Sequence, residues 1–133
     1  MKQREIKFRA WDKEKNRMSK PLTFSSMLLH WDDGDSPMPV LFSTAKSRVM
    51  FLEFTGAKDR NSEEIYEGYE LDSDRDGLIG IVEMHEMCWS LRVTKAIGKT
   101  GYDIGCSVPL YELALVRASL TGKNIYQNPE ILK

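Results

Sequence analysis

Residues 79–93 read IGIVEMHEMCWSLRV, and the alternation within this stretch decides the fold class. Successive side chains of a β-strand point to opposite faces of the sheet, so a period of two is typical of a strand. We therefore predict one continuous strand over 79–93. One face would carry Ile81, Glu83, His85, Met87, Trp89 and Leu91, and the other Val82, Met84, Glu86, Cys88, Ser90 and Arg92.

Shorter strand patterns lie on the N-terminal side of this stretch. Residues 4–10 alternate apolar and basic side chains, and residues 49–55 (VMFLEFT) form an apolar run typical of a central strand. Residues 30–39 (HWDDGDSPMP) and 72–77 (DSDRDG) have the composition of a loop and a polar turn. Several short strands separated by turns predict a small barrel or roll.

A short helix is predicted after Pro109, because proline suits the first turn of a helix and apolar residues follow at helical spacing. Gly122 would end it. The residues that set this spacing are Leu110, Leu113, Ala114, Arg117 and Leu120. The predicted fold class is therefore mainly β, with additional N-terminal strands and one short C-terminal helix.

Length and composition indicate a folded domain. The chain has 133 residues, 41% of them apolar, which is enough for a hydrophobic core. We expect a single domain over 1–133, with the option of an N-terminal β subregion at 1–48 packed on a barrel-like subregion at 49–133.

Cytoplasmic placement is the simplest expectation. The start MKQREIKF has no apolar signal region, and no stretch reaches the ~20 apolar residues of a membrane helix. Cys88 and Cys106 are too few for a disulfide framework, which favours a reducing compartment. We expect no membrane partner.

Charge is distributed unevenly along the chain. Residues 1–20 hold eight basic and three acidic residues, whereas residues 30–86 hold fourteen acidic and five basic ones. Such a split favours self-association or a charged partner, although solvated strand faces of different sign would look the same. The basic segment around Trp11 also leaves nucleic-acid binding open.

Residues 72–83 match the EF-hand loop pattern. Asp72, Asp74, Asp76 and Glu83 occupy ligand positions and Gly77 the position of the sharp turn. An EF-hand needs a helix on each side, however, and Gly68 would lie in the entering helix. The alternative is an Asp/Gly-rich hairpin turn, and this alternative is preferred, so we expect no metal.

No enzyme signature accompanies these patterns. Gly98-Lys99-Thr100 lacks the first glycine of a phosphate-binding loop, and His85-Glu86 lacks the second histidine of a zinc motif. The sequence has no GxSxG motif. We expect no catalytic residues and no cofactor.

Three separated stretches of the chain form a recognisable set of motifs. The first is Arg4 to Lys13 (REIKFRAWDK), with Met18 following. The second joins FTGAKDRN at 54–61 to EIYEG at 64–68 and is similar to "YTGLKDKNGKEIYEGD", and the third, GKNIYQNPEIL at 122–132, is similar to "GNIYENPELL". In these motifs the chain resembles the YopX-like proteins of phages and prophages. The three stretches occur in the order typical of that family and nearly span the chain.

The resemblance implies an SH3-like barrel or roll, no assigned catalytic residues and a host-cell cytoplasmic setting. Two positions depart from it, because Asn61-Ser62 replaces Asn-Gly and Tyr69 replaces an aspartate. A turn of a different type is expected at Asn61-Ser62. Our leading hypothesis is a non-enzymatic protein-interaction module with a host or phage partner, or self-association. Nucleic-acid binding and calcium binding are the alternatives, and the binding residues are not predicted.

Overall fold

The computed structural model describes residues 6–23, 25–40, 48–74, 76–96, 103–113 and 118–132. The chain divides into two compact units, Met1–Gly56 and Ala57–Lys133. The division lies inside a strand, C-terminal to the boundary at 48–49 that the sequence suggested.

The first unit is built around strand β1 (Phe8–Asp12), which pairs antiparallel on both sides. One neighbour is the short β2 (Arg17–Met18), with Trp11 opposite Met18. The other is β5 (Val49–Lys58), with Asp12 opposite Val49, and β5 carries the chain into the second unit. The strand predicted over 49–55 is thereby confirmed, and so is the part of the predicted strand 4–10 that begins at Phe8; residues 4 and 5 lie outside the described residues.

A two-stranded ribbon completes the first unit. Strand β3 (Leu28–Leu29) pairs antiparallel with β4 (Met38–Pro39). Single bridges join Ser19 to Trp31 and Phe8 to Leu22. The apolar cluster of this unit is buried because these pairings direct side chains to one interior; its buried members are Ala10, Leu22, Leu29, Trp31 and Val49.

The second unit contains a five-stranded antiparallel sheet in the order β10-β9-β8-β7-β11. Its strands are β7 (Tyr69–Ser73), β8 (Leu78–His85), β9 (Cys88–Ala96), β10 (Ser107–Pro109) and β11 (Ala118–Asn124), and the short β6 (Glu64–Tyr66) precedes them. The core of this unit contains Ile65, Leu71, Leu78, Val82, Leu91, Val93, Val108, Leu110, Leu113 and Ala118.

The stretch 79–93 is a hairpin, so the prediction of one continuous strand was wrong. Strands β8 and β9 are joined by Glu86 and Met87, whose φ angles are 48° and 65°. Positive φ at both central residues is the hairpin geometry that Asn-Gly usually supplies. The two-residue turn shifts the phase of the alternation by one residue, but Glu86 and Met87 carry no turn signal, so the sequence pattern hides the bend.

The hairpin also reverses the predicted faces of β9. Val82 pairs with Leu91 and Glu83 with Ser90, so residues of opposite parity share a face. Arg92, placed by the sequence on the face opposite Glu83, instead donates from Nε to Glu83 Oε1 at 2.9 Å.

The predicted C-terminal helix is a single 3-10 turn, Leu110–Glu112, after which Leu113 is extended. Its expected continuation at Ala118 to Leu120 is strand, because these residues pair with β7. Residues 114–117 lie outside the described residues. A second 3-10 turn spans Pro129–Leu132.

The fold is therefore mainly β, as predicted, and contains a curled half-barrel sheet. None of the helical segments that the structure describes is long or apolar enough to cross a bilayer.

Candidate binding site

The first matched stretch places a buried carboxylate at the end of β1. Asp12 is 0% exposed, and its oxygens accept from Arg48 Nε at 2.9 Å and Nη2 at 2.8 Å and from Arg17 Nε at 3.0 Å. The backbone amides of Glu14 and Lys15 donate to the same carboxylate. Arg48 first, and then these amides and Arg17, hold the pKa of Asp12 well below its usual range, although burial acts in the opposite direction.

The acidic loop after Trp31 pairs with the basic strands of the same unit. Asp32 is ion-paired with Arg9. Asp35 accepts from Arg17 Nη1 at 2.6 Å and lies 3.7 Å from Lys15 Nζ. The Arg17 guanidinium also lies over the Trp31 ring, 4.0 Å from its centroid.

These ion pairs change how the uneven distribution of charge along the chain is interpreted. Arg9 and Arg17 come from the basic segment 1–20 and Arg48 from the acidic segment 30–86, and each is bound to a carboxylate within the first unit. The alternating blocks of charge along the chain are thus matched, at least in part, inside one unit. The asymmetry therefore no longer points by itself to a charged partner.

The second matched stretch is tied to the strand that leads into the third. Asp59 is buried and accepts from the amides of Asn61 at 2.8 Å, Glu63 at 3.0 Å and Leu120 at 2.9 Å. Burial raises its pKa, but these amides outweigh burial, and the pKa lies below its usual value. In the turn itself only Ser62 has a positive φ, 63°, which confirms the expected change of turn type.

Gly68 of the second matched stretch lies against Tyr126 of the third. Gly68 has φ 85°, and a Cβ added there would lie 2.6 Å from Cε2 of Tyr126. Asn124 Oδ1 accepts from the amides of Tyr126 at 3.0 Å and Gln127 at 2.9 Å, as an Asx side chain does in a turn. These matched residues therefore stabilise the fold.

The EF-hand-like segment is a strand–turn–strand. Asp72 lies in β7 opposite Ile79, Asp74 and Asp76 lie in the turn, and Glu83 lies far along β8, bound to Arg92. Burial first, and then Asp74, raise the pKa of Asp72. Within the described parts of the chain, no group of three or more His, Cys, Asp or Glu side chains could hold a metal ion. The hairpin turn that the sequence preferred is what the structure contains.

An apolar pocket of about 280 Å³ opens on the first unit. Among the residues that the structure describes, its lining includes Phe8, Leu22, Thr23, Ser26, Val40 and Phe51. Phe8 and Leu22 exchange two backbone hydrogen bonds of 2.8 Å, which places them side by side. The Phe51 ring stands edge-on to the Phe8 ring, with centroids 6.5 Å apart and an interplanar angle of 78°.

Exposed apolar side chains continue from this pocket. Phe51 is 36% exposed, although the sequence of residues 49–55 predicts a central strand. Met27 is 82% exposed, and its carbonyl accepts from the amide of Val40 at 3.0 Å. We call Met27 and Phe51 the rim of the pocket.

Sequence reasoning missed the pocket. Its lining comes from four separate segments, which only the strand pairings bring together. One signal was present, since residues 21–29 (PLTFSSMLL) carry no charge but also show no clean strand period. Leu22, Thr23 and Ser26 of this segment line the pocket.

The fold and site define a β-rich protein in which the buried Asp12 and Asp59 each bind groups of their own unit and the first unit carries an open apolar pocket. The family model described as YopX protein matches residues 7–133, and the chain belongs to this family. No functionally curated protein matches the sequence.

A solved structure shares the fold. The crystal structure of protein EF1440 from Enterococcus faecalis aligns with a TM-score of 0.59 at 20% identity, covering 98% of this chain and 100% of that one. At this identity the likeness concerns the fold alone.

Proposed function

We propose that the chain is a non-enzymatic protein-interaction module of phage or prophage origin that acts in the cytoplasm of the bacterial host. The SH3-like roll implied by the family resemblance belongs to the same proposal. The observation that carries it is apolar exposure on the first unit. Among the described residues of this unit, Ile6, Met27, Leu28, Met50 and Phe51 are large, apolar and exposed.

Exposed apolar residues scattered singly need no explanation, but residues that continue from an open pocket favour a binding surface. Ser26 in the pocket lining precedes Met27 in the chain, and Phe51 belongs to both the lining and the rim. Aromatic residues and methionine are also enriched at protein interfaces. The partner is thus a host or phage protein with an apolar contact surface.

Self-association and nucleic-acid binding receive less support. Nucleic-acid binding rested on the basic N-terminal segment, in which Arg9 and Arg17 are ion-paired with carboxylates. Self-association rested on the same uneven charge. We therefore keep the proposal to a different protein as partner.

The test uses a matched pair of surface variants. Met27→Ser combined with Phe51→Ser removes the rim, whereas Met87→Ser alters a methionine that is 97% exposed in the second unit. Tagged wild type and both variants are crosslinked in host cells, and captured proteins are quantified by mass spectrometry. Amide NMR spectra establish that each variant is folded.

We expect wild type and Met87→Ser to capture the same partner and the rim variant to lose it at least about tenfold, since burying one such side chain contributes roughly 1.5–3 kcal/mol. Equal capture by the rim variant contradicts the proposed surface. Capture of nothing by wild type, together with a monomer in light scattering at every salt concentration, contradicts the proposal as a whole.

A further inference from the structure

We infer that the outer edge of β11 is a latent strand-addition surface for a second copy of this chain, and that the turn formed by residues 59–62 keeps this edge closed. We call this turn the cap. The inference concerns the second unit, whereas the proposed partner surface lies on the first, so the two stand or fall separately.

Strand β11 forms one edge of the five-stranded sheet. Among the strands that the structure describes, it pairs with β7 alone. In an antiparallel pair, alternate residues direct their amide and carbonyl groups away from the partner strand. In β11 these residues are Ala118 and Leu120, whose backbone groups bind the cap and not β7. An edge that exposes such groups is a template for another strand unless something covers it.

The cap occupies the outward donor and the outward acceptor of this edge. The Arg60 amide donates to the Ala118 carbonyl at 2.9 Å, and Asp59 Oδ2 accepts from the Leu120 amide at 2.9 Å. A carboxylate thus takes the place that a carbonyl of a neighbouring strand would have. Asp59 is only 6% exposed, so water does not compete freely for this bond.

The cap also binds its own backbone groups. The Asp59 amide donates to the Glu63 carbonyl at 2.9 Å, and the Ser62 amide donates to the Asp59 carbonyl at 3.0 Å. Asp59 Oδ1 accepts from the amides of Asn61 and Glu63. An ionised carboxylate accepts hydrogen bonds and donates none, so the cap ends the ladder of β11 instead of continuing it.

The rest of β11 is protected by other means. The register with β7 shifts between Leu120 and Asn124, where Gly122 has a φ of 89° and Lys123 is exposed. Bulges and exposed lysines are the usual devices that blunt a sheet edge. Residues 118–120 have regular pairing and no charge, and this is the part of the edge that the cap covers.

The uncovered edge would be self-complementary. In two copies that meet antiparallel about a two-fold axis at Ser119, the Leu120 amide of each reaches the Ala118 carbonyl of the other. These are the two groups that the cap occupies. Residues 118–121 (ASLT) carry no charge, so no like charges oppose each other across the axis. The occupant that fits the open edge is therefore β11 of a second copy.

Two variants open the edge in different ways. Asp59→Asn keeps one side-chain oxygen for the amides of Asn61 and Glu63 but turns an NH2 group toward the Leu120 amide. Arg60→Pro removes the N–H that binds the Ala118 carbonyl. Proline suits the second position of a four-residue turn, which Arg60 occupies, so the turn itself is kept.

The matched control is Arg60→Ala. It removes the side chain and its ion pair with Asp74 but keeps the amide that binds Ala118. Sedimentation velocity over a concentration series measures association of the full chain. Amide hydrogen exchange followed by NMR reports whether the Leu120 N–H is covered.

We expect wild type and Arg60→Ala to be monomers up to about 1 mM, and Asp59→Asn and Arg60→Pro to form dimers with dissociation constants below about 1 mM. In dilute Asp59→Asn the Leu120 amide should exchange at least about tenfold faster than in wild type. Its exchange should slow again as the dimer forms. Association of one folded variant with Leu120 protected in the dimer supports the inference.

The inference is overturned if both variants are folded monomers at every concentration, or if they associate while the Leu120 amide still exchanges fast. Equal association of Arg60→Ala also overturns it, because the Arg60 amide would then not be what closes the edge. If Asp59→Asn does not fold, Arg60→Pro alone decides. If neither folds, residues 59–62 are required for folding and are not a cap, and the inference fails.

Discussion

Replacing Asp12 with asparagine tests the charge network that supports the first unit. Asp12→Asn keeps the shape of the side chain but removes its negative charge. Arg17, nearly buried at 8% side-chain exposure, and Arg48 then lose their common partner. The new amide hydrogens also face guanidinium donors.

The expected loss of unfolding free energy in Asp12→Asn follows from the burial of its ion pairs with Arg17 and Arg48. Removing one partner of a buried ion pair typically costs about 3–5 kcal/mol, because the remaining charge is left uncompensated. Arg48 keeps Glu14 at 3.1 Å and Arg17 keeps Asp35, so we expect the lower end, about 3 kcal/mol at pH 7. Domains are stable by roughly 5–15 kcal/mol, so this is a large fraction.

The same reasoning fixes a pH dependence. The pKa of Asp12 in the folded chain lies below its ordinary value of 3.8. Its contribution to the free energy of unfolding is therefore complete above about pH 5 and declines as the pH falls below 3.8. The stability difference between wild type and Asp12→Asn should shrink between pH 5 and pH 2.

Urea unfolding followed by tryptophan fluorescence measures both effects, since Trp11 and Trp31 lie in the same unit. Asp35→Asn is the matched control, because Asp35 also binds Arg17 but is half exposed and should cost less than about 1 kcal/mol. A cost below 1 kcal/mol for Asp12→Asn, or a difference that stays constant with pH, would refute the reasoning.

Two further predictions concern the second unit and its turns. Glu86→Asn combined with Met87→Gly should raise the free energy of unfolding by about 1–2 kcal/mol, because both positions have positive φ and bear residues poorly suited to it; unchanged urea midpoints would contradict this. Gly68→Ala should cost at least about 1 kcal/mol more than Gly56→Ala, which urea titrations of the two variants would measure. Both glycines have φ near 86°, but only the Cβ at Gly68 would meet Tyr126; equal costs would show that the contact is immaterial.

The strands and the family could be predicted from the sequence, because both are recognised from patterns within short contiguous segments. A period of two follows directly from strand geometry, and it identified β1 and the segment of β8 and β9, whereas β5 was identified by an apolar run. The three matched stretches were likewise contiguous. At the EF-hand-like segment the sequence correctly favoured a hairpin turn over an EF-hand, because the flanking residues suited strands better than helices.

Four features were decided only by the tertiary structure. The bend at Glu86–Met87 depends on positive φ angles that carry no sequence signal here, and pairing with β7 overrides the helical spacing around Leu120. The neutralisation of Arg9 and Arg17 joins residues distant in the chain, and so does the pocket between Phe8, Leu22, Val40 and Phe51. Local periodicity records which face a side chain occupies, but not which distant side chain shares that face. That choice is made by strand register and by the packing of the whole unit.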